Sequence, residues 1–139
     1  KSGSRIVVFT STPFQIETLW LNEYFPAMLQ RLAAVMPSFE RTETAMNEAG
    51  VNIEQIELYD VHEGLEDLFL LSGTYTPSLY LDPNFRNGIS SFSALADPDE
   101  LESGLASLEQ DIKSSRVNQV IESWKNDRGA YQFIQARLS

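Results

Sequence analysis

Apolar positions along this chain fall into two repeats. Ile6-Val7-Val8-Phe9 is an unbroken apolar run, and Arg5–Thr10 reads as a short strand of the kind buried in a parallel sheet. Val51 to Val61 also reads as a strand. Its apolar phase slips between Ile53 and Ile56, which predicts a turn or bulge near Gln55. Residues 129–138, through Tyr131, Phe133 and Ile134, read as a closing strand.

Between the strands the period becomes helical. Thr12-Pro13-Phe14-Gln15 offers a capping hydroxyl, proline at the first helical position and glutamine at the third. It predicts a helix from Pro13 through Glu23. Pro26 kinks that helix or starts another, because it lacks an N–H and clashes with the preceding turn. Met28, Leu29, Leu32, Val35 and Met36 keep the period up to Pro37. Ser38 caps a third helix with Phe39, Thr42, Met46 and Ala49 on one face, and Gly50 ends it. Leu65, Leu68 and Phe69 predict a short helix over 64–71, although the stripe stops at Ser72. Residues 74–96 are irregular, with single helical turns predicted at Pro77–Leu81 and Pro83–Asn87. Asp97-Pro98-Asp99-Glu100 is the clearest helix start, followed by Leu101, Leu105, Leu108 and Ile112 on one side. Val117, Val120, Ile121 and Trp124 form a last stripe, and Asn126–Gly129 is a turn. The order is strand, helices, strand, long helical segment, strand: an α/β pattern.

Composition narrows the function classes. The 139 residues make one domain or part of one, and 42% apolar content is enough for a core. Ten basic residues against twenty acidic ones give a net charge of −10, which disfavours nucleic acid and anionic membranes as partners. Without cysteine there is no disulfide framework and no thiolate metal site, which fits a cytoplasmic protein. No apolar run approaches the ~18 residues of a spanning helix. Lys1-Ser2-Gly3-Ser4 leads straight into a strand, the pattern of an α/β domain cut at its N-terminal side.

Several short motifs carry a resemblance. Lys1-Ser2-Gly3-Ser4-Arg5 is similar to a Lys-Pro-Gly-Gly-Arg turn, with serines replacing the proline and the second glycine. Glu48-Ala49-Gly50-Val51 is similar to a Glu-Ala-Gly-Phe segment. In class I S-adenosylmethionine-dependent methyltransferases these motifs precede the fifth and sixth strands. Residues 20–26, 67–73, 79–83 and 86–92 resemble one bacterial subgroup of the same enzymes. The whole chain thus resembles the C-terminal half of that Rossmann-like fold. The resemblance implies three adjacent strands, 5–10, 129–138 and 51–61, in family order 5-7-6, with the last strand antiparallel. It also implies a partial methyltransferase domain over 1–139, with residues 62–128 a helical insertion or cap in place of a short hairpin.

Methyl transfer from a sulfonium needs alignment of donor and acceptor and exclusion of water. In the family the donor, S-adenosyl-L-methionine, is held by a glycine-rich turn after the first strand and an acidic residue after the second. No glycine cluster occurs among the seven glycines here. The resemblance therefore implies the cofactor for a full-length parent, no cofactor-binding residue in this chain, and no activity of the chain alone. What remains is acceptor surface for a small molecule beyond the carboxyl ends of the strands. Thr10, Phe14, Trp20, Tyr24, Tyr75, Tyr80 and Arg86 are the substrate-binding candidates. Core packing competes for each aromatic and a surface ion pair for Arg86. His62, the only histidine, is the weak candidate for a general base. Asp60, His62 and Glu63 match no strong metal-ligand spacing, so no metal is expected. The apolar first strand, without its family neighbour, predicts a homo-oligomer through its edge. The alternative is a non-catalytic binding or assembly module on the same three-strand scaffold.

Overall fold

The computed structural model describes residues 3–64, 66 and 68–139. Lys1, Ser2, Leu65 and Asp67 lie outside the described residues, and with them parts of the opening turn and of the helix predicted over 64–71. The neighbouring residues 70–75 form turns.

Three strands make one sheet: β1 (Arg5–Thr10), β2 (Val51–Tyr59) and β3 (Tyr131–Leu138), in the order β1-β3-β2. β3 is antiparallel to both neighbours. β1 and β2 therefore run in the same direction on either side of it, as the sequence order anticipates. The β2–β3 register shifts between Ile53 and Gln55, where the apolar phase slips. Registers place Ile6, Val8 and Thr10 beside Ala136, Ile134 and Gln132 on one face. Along β3 the residues of that face are buried, Ile134 and Ala136 almost completely. The opposite face carries an aromatic cluster, with Phe9 4.8 Å from Phe133, 5.1 Å from Tyr131 and 5.1 Å from Phe69 between ring centroids.

The helices are α1 (Pro13–Ile16), α2 (Pro26–Val35), α3 (Phe39–Glu48), α4 (Pro83–Asn87), α5 (Ser90–Leu95), α6 (Pro98–Lys113) and α7 (Arg116–Ser123). The capping box at Thr12 and Gln15 forms as read, and so do the caps at Ser38 and Asp97. The helix predicted through Glu23 instead breaks after Ile16 and resumes as a 3-10 turn at Trp20–Glu23. Local side chains mark the break. Thr18 Oγ1 donates to the Gln15 carbonyl, and Asn22 Nδ2 donates to the Ile16 and Leu19 carbonyls. The same carbonyls accept backbone N–H groups only three residues on, from Thr18, Leu19 and Asn22, so the side-chain bonds accompany a tightening to 3-10 geometry. Pro26 begins α2 rather than kinking a longer helix. The turns at Pro77–Leu81 and Pro83–Asn87 are present as predicted, whereas α5 lies within the stretch read as irregular.

The main core does not lie on the sheet. It lies between the helices that follow β1 and those between β2 and β3. Phe25, Met28 and Leu29 from the first group pack in one cluster with Tyr80, Phe92, Leu108 and Val120 from the second. Glu100 fastens the two groups. Its carboxylate accepts from the Ala27 N–H at 2.6 Å and the Met28 N–H at 2.8 Å, in the first turn of α2. Phe25, the N-cap there, supplies no side-chain bond, so a carboxylate from α6 satisfies donors that α2 itself leaves free.

Candidate functional site

The carboxyl ends of β1 and β2 and the start of β3 meet at one end of the sheet. Hydrogen bonds fix them there. Ser11 Oγ donates to the Ala130 carbonyl at 2.8 Å, and the Ala130 N–H donates to Asp60 Oδ1 at 2.8 Å. Gln15 Nε2 donates to the carbonyls of Arg128 and Tyr131, both at 3.1 Å, while its Oε1 accepts from the Thr12 N–H. The loop before β3 is thus pinned to the residues following β1 and β2. Three clefts open around it.

The first, about 380 Å³, lies at the carboxyl end of β1. Phe9, Thr10, Ser11 and Tyr131 line it from the sheet, Leu68–Leu70 and Gly88–Ser91 from the segment between β2 and β3. The second, about 290 Å³, lies at the carboxyl end of β2, with Asp60, Trp20, Tyr75 and Trp124 among its walls. The third, about 630 Å³, lies between α1, the start of α3 and the 127–128 loop, and it holds Phe14, Arg128 and Gln132.

The sequence candidates divide among these places. Thr10 lines the first cleft, Trp20 and Tyr75 share the second, and Phe14 lines the third. Trp20 is buried and donates from Nε1 to Thr74 Oγ1 at 3.0 Å. Tyr75 is exposed. Tyr24 is buried and donates to Asp111 Oδ2 at 2.7 Å. Tyr80 has no exposed surface; its hydroxyl donates to the Leu70 carbonyl at 2.6 Å and accepts from the Gly73 N–H at 3.2 Å. Arg86 donates to the Tyr80 carbonyl at 2.7 Å, closing a turn beside it. His62 is exposed, with Nδ1 3.0 Å from the Glu63 carbonyl oxygen. Tyr24, Tyr80 and Arg86 line none of the three clefts. Among the described residues no group of three or more His, Asp or Glu side chains is placed to hold a metal ion. No described helix is long and apolar enough to cross a membrane.

Three residues beside the clefts went unnoticed as candidates: Ser91, Arg128 and Gln132. Gln132 did leave a signal, since it occupies the apolar phase of β3 with Ile134 and Ala136. Ser91 and Arg128 left none, because serine and arginine are ordinary in a loop-rich stretch.

Burial raises the pH at which several tyrosines ionise. Tyr131 is pushed up to about 12, chiefly by desolvation. Tyr24 is raised by burial and then by its bond to Asp111, and Tyr80 by burial. In the unfolded chain tyrosines ionise near pH 10. Above that pH the unfolded state binds fewer protons than the folded one, so stability falls as pH rises. Urea midpoints are expected to decline between about pH 10 and about pH 12. Tyr131→Phe is expected to make that decline shallower.

Comparison with known proteins adds one relation. No protein-family model and no curated protein matches the chain. Among solved structures, a protein of Anabaena variabilis assigned as a methyltransferase from an antibiotic biosynthesis pathway shares 28% identity, with a TM-score of 0.76. The match covers 96% of this chain and 55% of that one, so the chain spans about half the length of its structural neighbour. The three-strand sheet and its helices thus form a methyltransferase-like α/β fold.

Proposed function

We propose that this chain is the C-terminal, acceptor-side part of an S-adenosylmethionine-dependent methyltransferase acting on a small molecule. The observation that carries the reading is the cleft at the carboxyl end of β1. It is bounded by Thr10 and Ser11 on the strand side and by Ile89, Ser90 and Ser91 on the helical side. Ligands in open α/β sheets bind beyond the carboxyl ends of the strands. β1 is the edge strand, so this is the cleft that a preceding half-domain would border. The wall is mainly apolar, with a few hydroxyls to orient an acceptor. Residues 62–128 act as the cap that closes over it and excludes water. The likeness to a protein assigned as a methyltransferase supports the reading. The cofactor belongs to the preceding half, and this chain's residues position the acceptor.

Ser90 tests this. It lines the cleft but is exposed at the start of α5, so a larger side chain there obstructs the cleft without disturbing the core. In the complete gene product, Ser90→Trp is expected to lower methyl transfer at least about tenfold, since a misplaced acceptor loses most of its reactivity. Affinity for S-adenosylmethionine should stay unchanged. The readout is S-adenosylhomocysteine release with a small-molecule extract as acceptor pool. Unaltered release would count against this cleft.

The same reading bears on association. The outer edge of β1 pairs with no described strand, and Val7 on it is 62% exposed. Unpaired apolar edges recruit other chains. The chain alone is expected to form a homodimer or larger assembly through residues 5–10. Light scattering of a concentrated solution checks this: a lasting monomer contradicts it, and Val7→Lys should dissociate the assembly.

A further inference from the structure

The third cleft contains a donor with no partner among the described residues. Gln132 is 6% exposed, yet its Nε2 makes no hydrogen bond to any of them. A buried amide left this way is unfavourable, and such groups are rare in folded proteins. Gln15, close by in the same cleft, has both ends of its amide engaged. The terminal torsion of a glutamine is broad and two-fold, so the Gln132 amide can turn either end toward the cleft that it lines.

A second observation points to the same place. The Arg128 guanidinium lies 3.8 Å from the centroid of the Phe14 ring, and its Nη1 donates to the Phe14 carbonyl at 3.3 Å. It makes no ion pair among the described residues. Stacking and one hydrogen bond hold the plane, leaving other N–H groups free for a planar oxyanion. Phe14 itself is 58% exposed, an apolar floor beneath that cation.

The charges that line the cleft decide the ligand class. Glu40 and Asp127 stand on its walls with Arg128. A plain anion would meet Arg128 but be repelled by two carboxylates. A plain cation would leave Arg128 and Gln132 without an acceptor. We propose that this cleft binds a small apolar amino acid or a similar zwitterion. Its carboxylate lies on Arg128 and Gln132, its ammonium toward Glu40 and Asp127, and its apolar body against Phe14 and Phe39. The site lies apart from the acceptor cleft and stands whether or not the methyltransferase reading holds.

The test is a nuclear magnetic resonance titration of the chain with L-phenylalanine, following the Gln132 side-chain amide. A saturable shift is expected. Arg128→Met should weaken it at least about tenfold, the effect of losing a charge-assisted pair. Gln132→Met should also weaken it, read from backbone amides, while raising the urea midpoint because the unpaired donor is gone. That rise shows the variant folded. 3-Phenylpropionate and phenethylamine, each lacking one charge, should bind at least about tenfold more weakly. No saturable shift up to about 10 mM phenylalanine would overturn the proposal. So would unchanged affinity in Arg128→Met, or equal binding of phenylpropionate.

Discussion

Gly104→Ala is expected to destabilise the chain by about 3 kcal/mol, the upper range for forcing one extra carbon into a packed core. Helix propensity alone argues the other way, since alanine is favoured over glycine by about 1 kcal/mol inside a helix. Position decides. Gly104 is buried in α6 where that helix crosses Tyr24 and Phe25. A Cβ there would lie 2.5 Å from Phe25 Cε1 and 2.7 Å from Cδ1, and would press on the Tyr24 carbonyl oxygen. None of these can yield easily. Phe25 is fully buried and meets Phe92 edge-on at 5.2 Å, and a carbonyl moves only with its backbone. The clash outweighs the propensity gain. Urea unfolding checks the sign: a variant as stable as the parent would show that α6 does not press on the 24–25 segment.

Tyr80→Phe is expected to cost about 3 kcal/mol, although it removes one oxygen and leaves the ring in place. The hydroxyl serves two backbone groups, the Leu70 carbonyl and the Gly73 N–H. Phenylalanine would leave both unpaired beside a fully buried ring, at about 1–3 kcal/mol for each group. Gly73 also crowds this ring, for a Cβ there would lie 2.5 Å from Tyr80 Cε2. Tyr80 thus anchors the turns that follow β2 to the core rather than offering a face to a ligand. Unfolding monitored by near-ultraviolet circular dichroism checks this. A cost below 1 kcal/mol would mean that neighbouring groups or water replace the hydroxyl.

The strands were legible because their physics is local and repeated. The apolar run at Ile6–Phe9, the phase slip before Ile56 and the alternation after Gly129 each map onto an observed strand or bulge. Caps were legible for the same reason, since Thr12, Ser38 and Asp97 each accept from N–H groups within three residues. Misreadings came from local side-chain bonds and shortness. Thr18 and Asn22 bond the carbonyls of residues 15, 16 and 19, which accept backbone N–H groups at 3-10 spacing, and periodicity does not weigh such side-chain bonds. α5 spans six residues with three serines, too few apolar positions to show a period, and it meets the core through Phe92 and Leu95.

The candidate site was only partly legible. Strand ends could be located, so Thr10 and Phe14 were placed near clefts. Trp20, Tyr24 and Tyr80 are chemically as suited to ligands as to packing. Only the fold separates them: Trp20 reaches a cleft wall, whereas Tyr24 and Tyr80 face the core between the two helical groups. Arg128 and Gln132 gain meaning from a loop and a strand brought together across the sheet end, a juxtaposition with no local trace.

In the proposed division of labour, a preceding half would hold the methyl donor and this chain would position the acceptor. Calorimetric titration of S-adenosylmethionine into this chain, and into the complete gene product that contains it, tests that division most directly. Saturable binding is expected for the complete product and none for the chain alone. Tight saturable binding to the chain by itself, or no binding to the complete product, would contradict it.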